Sequence, residues 1–232
     1  NYDEKNYVLV TGAAAALNII FKTLLNPDDE VIAFAPYFGE YNNYVSNHGG
    51  RIVAISPNTE TFQPNMEEFK SKITAKTKAV IINTPNNPTG VIYSAETLKT
   101  LAEILTEKEK EFGTSIYLVS DEPYRELVYG NTEVPFVPDF YNNTFIAYSY
   151  SKSLSLPGER IGYVCINTSA DDFEMITGAL NVANRILGFV NAPTIWEKAL
   201  LYISNLTVDI SIYEKNRDKV YSMLTELGYE MV

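Results

Sequence analysis

KAVIINTPNNPTG, residues 78–90, runs on into VIYSAETLKTLAEILTEKEKEFGTSIYLVSDEPY, residues 91–124, and together they decide the fold. KAVIIN is an unbroken apolar run of strand length that stops at a proline-rich, polar turn. SAETLKTLAEILTEKEKEF then carries apolar residues at helical spacing with charges on the opposite face. SIYLVS is a second apolar run. Strand, turn, amphipathic helix and strand make a βαβ unit, whose parallel strands are buried on both faces and are apolar throughout.

The same grammar extends in both directions. Further strands are expected at VLV (8–10), EVIAF (30–34), RIVAI (51–55), TFIAYS (144–149) and IGYVCI (161–166), with the two above at 78–83 and 115–120. AAAALNIIFKTLL is a helix apolar nearly all round, as one packed on a sheet should be, and NPDDE, GG and LPGE punctuate as turns. After residue 167 only helical patterns remain: DDFEMITGALNVANRIL, APTIWEKALLYISN and VDISIYEKNRDKVYSMLTEL. The expectation is one three-layer α/β/α domain over residues 1–232, built on a mostly parallel sheet with a helical C-terminal tail. The chain has no initiator methionine, opens directly into strand-like sequence and stops after a helix, so it is expected to be a piece of something longer.

Composition excludes several classes of function. The net charge is −11 over 232 residues and is not gathered in a tail, which argues against a nucleic-acid partner, since phosphates call for a basic face. No apolar stretch reaches membrane-spanning length and no signal peptide is visible. One cysteine, Cys165, rules out a disulfide framework and suits a reducing cytoplasm. With one histidine, His48, neither a histidine-rich nor a Cys/His metal site can be assembled, and His48 before Gly49-Gly50 reads as a helix-end residue.

In open α/β sheets, ligands bind beyond the carboxyl ends of the strands. The polar and small residues at those ends are therefore the candidates. After VLV comes TGAAAAL, where Gly12, Ala13 and Ala14 open a helix with free amides suited to a phosphate, or simply an alanine-rich helix start. After EVIAF comes APYFGEY, whose Phe38 offers a stacking face or a packed corner. After KAVIIN comes the Asn-Pro-Thr-Gly turn, which aims Asn87 at the crevice. After SIYLVS comes DEPYREL: Asp121 ends a buried strand and calls for a cation or several donors, unless it caps a helix, and Tyr124 follows three residues on. After TFIAYS comes SYSKSLSLPGERIGY (149–163), with Ser149, Ser151, Lys152 and Arg160. Serine and arginine suit a phosphate, and a lysine in a dry crevice beside positive charge is a nucleophile toward carbonyls.

These parts describe one ligand. Its phosphate goes to the Ala13 and Ala14 amides, Ser149 and Arg160, its flat ring to Phe38, and Ser151 is a further cofactor-binding residue. A basic ring nitrogen meets Asp121, a ring oxygen meets Asn87 and Tyr124, and an aldehyde meets Lys152, which captures it as a Schiff base. Pyridoxal 5′-phosphate fits that description.

TGAAAAL, APYF, NNPTG, SDEPY and SKxxxxPGxRxGY, in that order, resemble the class I/II aminotransferases, the fold-type I pyridoxal-phosphate enzymes. The resemblance implies a seven-stranded sheet with the IGYVCI strand antiparallel, and cis peptide bonds at Ala35-Pro36 and Asn87-Pro88. It implies transamination between an L-amino acid and a 2-keto acid, with Lys152, Asp121 and Tyr124 as catalytic residues. It also implies a homodimer, in which NVANRILGFVNAP contributes to the partner's phosphate site, and a missing N-terminal segment and C-terminal small domain that carries the carboxylate-binding arginine. Arg185 and Arg217 do not stand in that arginine's sequence context. Alternatives on the same platform are a C–S β-lyase or a decarboxylase; a different class is the cofactor-binding sensor half of a transcription regulator.

Overall fold

The computed structural model describes residues 2–232. Seven strands form one sheet: β1 (Tyr7–Val10), β2 (Glu30–Phe34), β3 (Arg51–Ile55), β4 (Thr77–Asn83), β5 (Tyr117–Asp121), β6 (Thr144–Ser149) and β7 (Gly162–Ile166), in the spatial order β1-β7-β6-β5-β4-β2-β3. The pairs from β3 through β6 are parallel, whereas β7 runs antiparallel to both of its neighbours, β6 and β1. The expected mostly parallel sheet with one reversed strand is therefore what forms. β2, β3 and β6 have the bounds read from the sequence.

Among the described residues there are eight α-helices: α1 (Ala13–Leu24), α2 (Tyr41–Ser46), α3 (Met66–Lys72), α4 (Ala95–Phe112), α5 (Tyr150–Ser153), α6 (Phe173–Ile186), α7 (Thr194–Ile203) and α8 (Ser211–Glu226). Side chains alternate across the pleat, so the sheet builds two cores. On one face Val31, Ala33, Ile81, Val119 and Ala147 pack under α1 and α6, with Leu17, Ile20, Phe21 and Leu180 reaching down. On the other face Ile32, Phe34, Val80, Ile82 and Leu118 pack under α3 and α4, through Phe69, Leu98, Leu101 and Leu105. α4 owes its limits to local chemistry. The Ser94 hydroxyl accepts from the Thr97 amide at its start, and Gly113, at φ 65°, ends it in the left-handed region.

The layers stop at α6. No residue of α7 or α8 is buried, and Ile195, Leu201, Tyr202 and Leu227 lie exposed. Among the described residues no helix is long and apolar enough to cross a membrane. His48 follows the end of α2, as expected of it.

Candidate active site

The sheet's topology gathers the candidates on one edge. β1, β2, β4, β5 and β6 all point their carboxyl ends there, and β7, being reversed, begins there. A cavity of about 350 Å³ lies at that edge, lined by Ala13, Ala14, Phe38, Asn87, Asp121, Tyr124, Ser149, Ser151, Lys152 and Arg160. All ten residues singled out in the sequence thus share one cavity. Leu17, Glu40, Tyr44, Asn83, Pro123 and Pro157 line it as well.

One end of the cavity gathers hydrogen-bond donors. α1 begins at Ala13 behind Gly12, and no side chain caps its first amides. The Ser149 hydroxyl accepts from the Ser151 amide at 3.1 Å and lies 2.7 Å from the Ser151 hydroxyl. Arg160 Nη1 donates to the Pro157 carbonyl at 2.8 Å and to Ser151 Oγ at 3.4 Å. A Cβ on Gly12 would come within 2.5 Å of Arg160 Nη2, so only glycine lets the guanidinium lie against the helix start. Uncapped amides, two hydroxyls and a guanidinium make a phosphate-shaped set of donors.

The floor belongs to Asp121. It closes β5 and is buried, at 6% exposure. The Tyr41 hydroxyl donates to its Oδ2 at 2.6 Å, while its buried Oδ1 has no hydrogen-bond partner among the described residues. Burial pushes its pKa up to about 7; the Tyr41 hydrogen bond pulls the other way and the charge of Glu122 adds to the rise. Asp121 caps no helix, because the chain continues from β5 into turns. Its donor, Tyr41, is one the sequence reading missed: it lies 80 positions away on a helix start, with no local signal.

Polar ties fix the walls. Asn83, the last residue of β4, donates from Nδ2 to the Asp121 carbonyl at 2.7 Å and accepts the Asn87 amide at 2.6 Å. Asn83 therefore locks the Asn-Pro-Thr-Gly turn to β5, a role legible only as a polar residue closing an apolar strand. Asn87 Nδ2 then reaches the Tyr124 hydroxyl at 3.4 Å. Behind Tyr124, buried Glu122 binds Ser120 Oγ at 2.8 Å and Arg125 at 3.0 Å, and Arg125 holds the Val134 and Pro135 carbonyls. That set pins the loop carrying Tyr124. Phe38 stands edge-on to Tyr41, with ring centres 5.7 Å apart. The expected cis bonds at Ala35-Pro36 and Asn87-Pro88 are present, together with a third at Thr84-Pro85.

Lys152 sits on the one-turn helix α5, with Nζ 6.0 Å from the centre of the Tyr124 ring. Its neighbour Ser153 is buried and accepts the Tyr148 hydroxyl's hydrogen bond at 2.8 Å, which anchors the turn. Lys152 and Arg160 are themselves exposed. The crevice expected to be dry is thus open on their side, and it is enclosed where Asp121, Asn83, Ser149 and Leu17 line it.

The family described as "Aminotransferase class I and II" matches residues 1–232. The chain belongs to the class I and II aminotransferases. Among curated members of this family, a probable aspartate/prephenate aminotransferase of Thermus aquaticus is 33% identical over 99% of this chain and 58% of its own length. An aspartate aminotransferase of Bacillus subtilis is 36% identical over 79% of this chain and 45% of its own. The crystal structure of an aminotransferase from Eubacterium rectale superposes with a TM-score of 0.98 at 45% identity, covering 99% of this chain and 58% of that one. The chain spans about half the length of the curated aminotransferases it matches.

Proposed function

We propose that this chain forms the pyridoxal 5′-phosphate site of an enzyme that moves an amino group between an L-amino acid and a 2-keto acid. The observation that carries the proposal is the buried, unpartnered Asp121 Oδ1 on the floor of the cavity that also holds Lys152. A buried carboxylate oxygen with no donor is costly unless a ligand supplies one. A protonated ring nitrogen is such a donor, and the residues around it fit the rest of the cofactor.

The Ala13 and Ala14 amides, Ser149, Ser151 and Arg160 would hold the phosphate, Phe38 would cover the ring, and Asn87 and Tyr124 would bind the ring oxygen. When bound, the cofactor supplies an aldehyde that condenses with amines and a cationic ring that takes up electrons. Asp121, ionised, keeps the ring nitrogen protonated. Lys152 Nζ would supply the amine that holds the aldehyde, and as a free amine it would take the proton from the substrate's α-carbon and return it as the conjugate acid. Tyr124, hydrogen-bonded to Asn87, orients the ring from the side of its oxygen.

The names of the relatives make aspartate the amino donor to test first. Two copies of the chain are proposed to pair, a reading supported by the apolar side chains that α6 and α7 leave exposed, among them Met175, Val182, Ile186 and Leu201. The deciding experiment is Lys152→Ala: it should abolish transamination while pyridoxal phosphate still binds, and wild-type rates in that variant would refute the proposal. Product analysis separates an amino group passed to a second keto acid from pyruvate with ammonia, or carbon dioxide.

A further inference from the structure

Asp121 has two carboxylate oxygens in different situations. Oδ2 receives the Tyr41 hydroxyl at 2.6 Å, and Oδ1 is buried with no partner. Tyr41 is itself buried at 1% exposure and opens α2, with its ring stacked on Tyr37 at 6.2 Å and edge-on to Phe38 at 5.7 Å. Packing thus fixes the position of its hydroxyl oxygen, which donates to Asp121 Oδ2. Nothing in transamination itself calls for this tyrosine, and it does not line the cavity.

We propose that Tyr41 is a positioning residue: its hydroxyl holds one oxygen of Asp121 so that the other is presented, ionised, to a protonated ring nitrogen in the cavity. The inference rests on the reading of the cavity as a pyridoxal phosphate site and adds to it the group that sets the anchor. Among the described residues Asp121 forms no ion pair, and burial drives it toward the neutral acid. A donated hydrogen bond from a buried hydroxyl stabilises the carboxylate instead. The ionisable groups facing it are Tyr41 and Tyr44 from α2, Glu122 and Tyr124 after β5, and Lys152 and Arg160 across the cavity. Glu122 disfavours its charge and Tyr41 favours it.

The test is pyridoxal phosphate affinity as a function of pH, followed by absorbance, in the wild-type protein and in Tyr41→Phe. That variant removes one oxygen and keeps the ring with its contacts. The wild type should lose affinity as Asp121 becomes protonated on acidification. Tyr41→Phe should move that acid limb upward by roughly one to two pH units, the size of one hydrogen bond to a charged acceptor. In an Asp121→Asn background the same change should move nothing. Fluorotyrosine at position 41, a stronger donor, should move the limb downward, and this stands even if the phenylalanine variant does not fold. An equal loss of affinity at every pH, with the limb in place, is what a packing role gives and overturns the proposal. Failure of the wild type to bind the cofactor overturns the reading of the cavity, and this inference with it.

Discussion

Gly12→Ala is the perturbation that tests the anion end of the site most sharply. Gly12 has φ 89° and ψ 174°, a combination open in practice only to glycine. An alanine there costs about 1–3 kcal/mol in backbone strain, which for a domain of this size lowers the melting temperature by roughly 2 to 12 °C. The added Cβ also lands 2.5 Å from Arg160 Nη2 and 3.1 Å from Cζ. The guanidinium ends an exposed, flexible side chain, so it swings aside at little cost to stability. In doing so it leaves the start of α1 and its bonds to Pro157 and Ser151. Losing one charge-assisted hydrogen bond to a phosphate costs about 1.5–3 kcal/mol, roughly a tenfold to hundredfold drop in affinity. Thermal unfolding and titration with pyridoxal phosphate or inorganic phosphate read the two effects separately. Arg160→Ala is the control: it should lose the affinity and keep the melting temperature, and on that background Gly12→Ala should cost stability alone. An unchanged melting temperature refutes the backbone argument. Unchanged affinity, with Arg160 displaced, refutes Arg160 as an anion donor.

Two other predictions follow from burial. Asp121 is raised from 3.8 to about 7 in the folded chain, so between those values the unfolded state has released a proton that the folded state keeps. Stability should therefore fall as pH rises from about 4 to about 7, by on the order of 4 kcal/mol at about 1.4 kcal/mol per pH unit, and level off above. Glu122, also raised by burial, adds slope of the same sign, so the measurement is the difference between wild-type and Asp121→Asn denaturation curves across that window; parallel curves would refute the assignment. The proposed pairing of two copies is read by light scattering: a mass twice 26.0 kDa supports it, and replacing exposed Ile186 and Leu201 by serine should return the monomer without loss of helix content.

The strands were legible because strands buried on both faces are written as continuous apolar runs. β5 shows the limit of that rule: the run SIYLVS suggested 115–120, yet the strand covers 117–121. Ser115 turns away to bind Asp171, and Asp121, polar, is drawn into the ladder by its pairing with Asn83 and Ala147. Register with neighbouring strands decided both ends, and register is not written in a single run. Within the site, every group that follows a strand end could be read from its place. Tyr41 and Asn83 could not, because their partners come from other strands and lie 80 and 38 positions away. Tyr44 and Glu40, bonded to each other at 2.5 Å on the cavity wall, are only four positions apart and were missed for another reason: nothing in the sequence says which side of that turn faces the cavity. The exposure of Lys152 was also misjudged, since a crevice is dry only where something covers it.

The eight-residue interval from Lys152 to Arg160 looks arbitrary as sequence and follows from the reversal of β7. Val10 of β1 and Ser149 of β6 both stand opposite Gly162. That one glycine is the point where the ends of two parallel strands close on each other. A Cβ there would collide with the Tyr148 carbonyl and would lie 3.2 Å from the Cα atoms of Gly12 and Ser149, so no larger residue lets the three backbones meet. Once they meet, α1 starts after Thr11 and Gly12, the two residues that follow β1, and α5 starts directly after Ser149, on the same edge. The chain leaving β6 makes one helical turn, which carries Lys152, and must return to begin β7 beside the strand it just left. Arg160 falls at that return, at φ 54°, facing the start of α1. A sheet with β7 parallel would begin that strand at the opposite edge and carry Arg160 away from the amides of α1. The lysine, the arginine and the helix start are thus brought together by one reversed strand and the glycine that lets it pack.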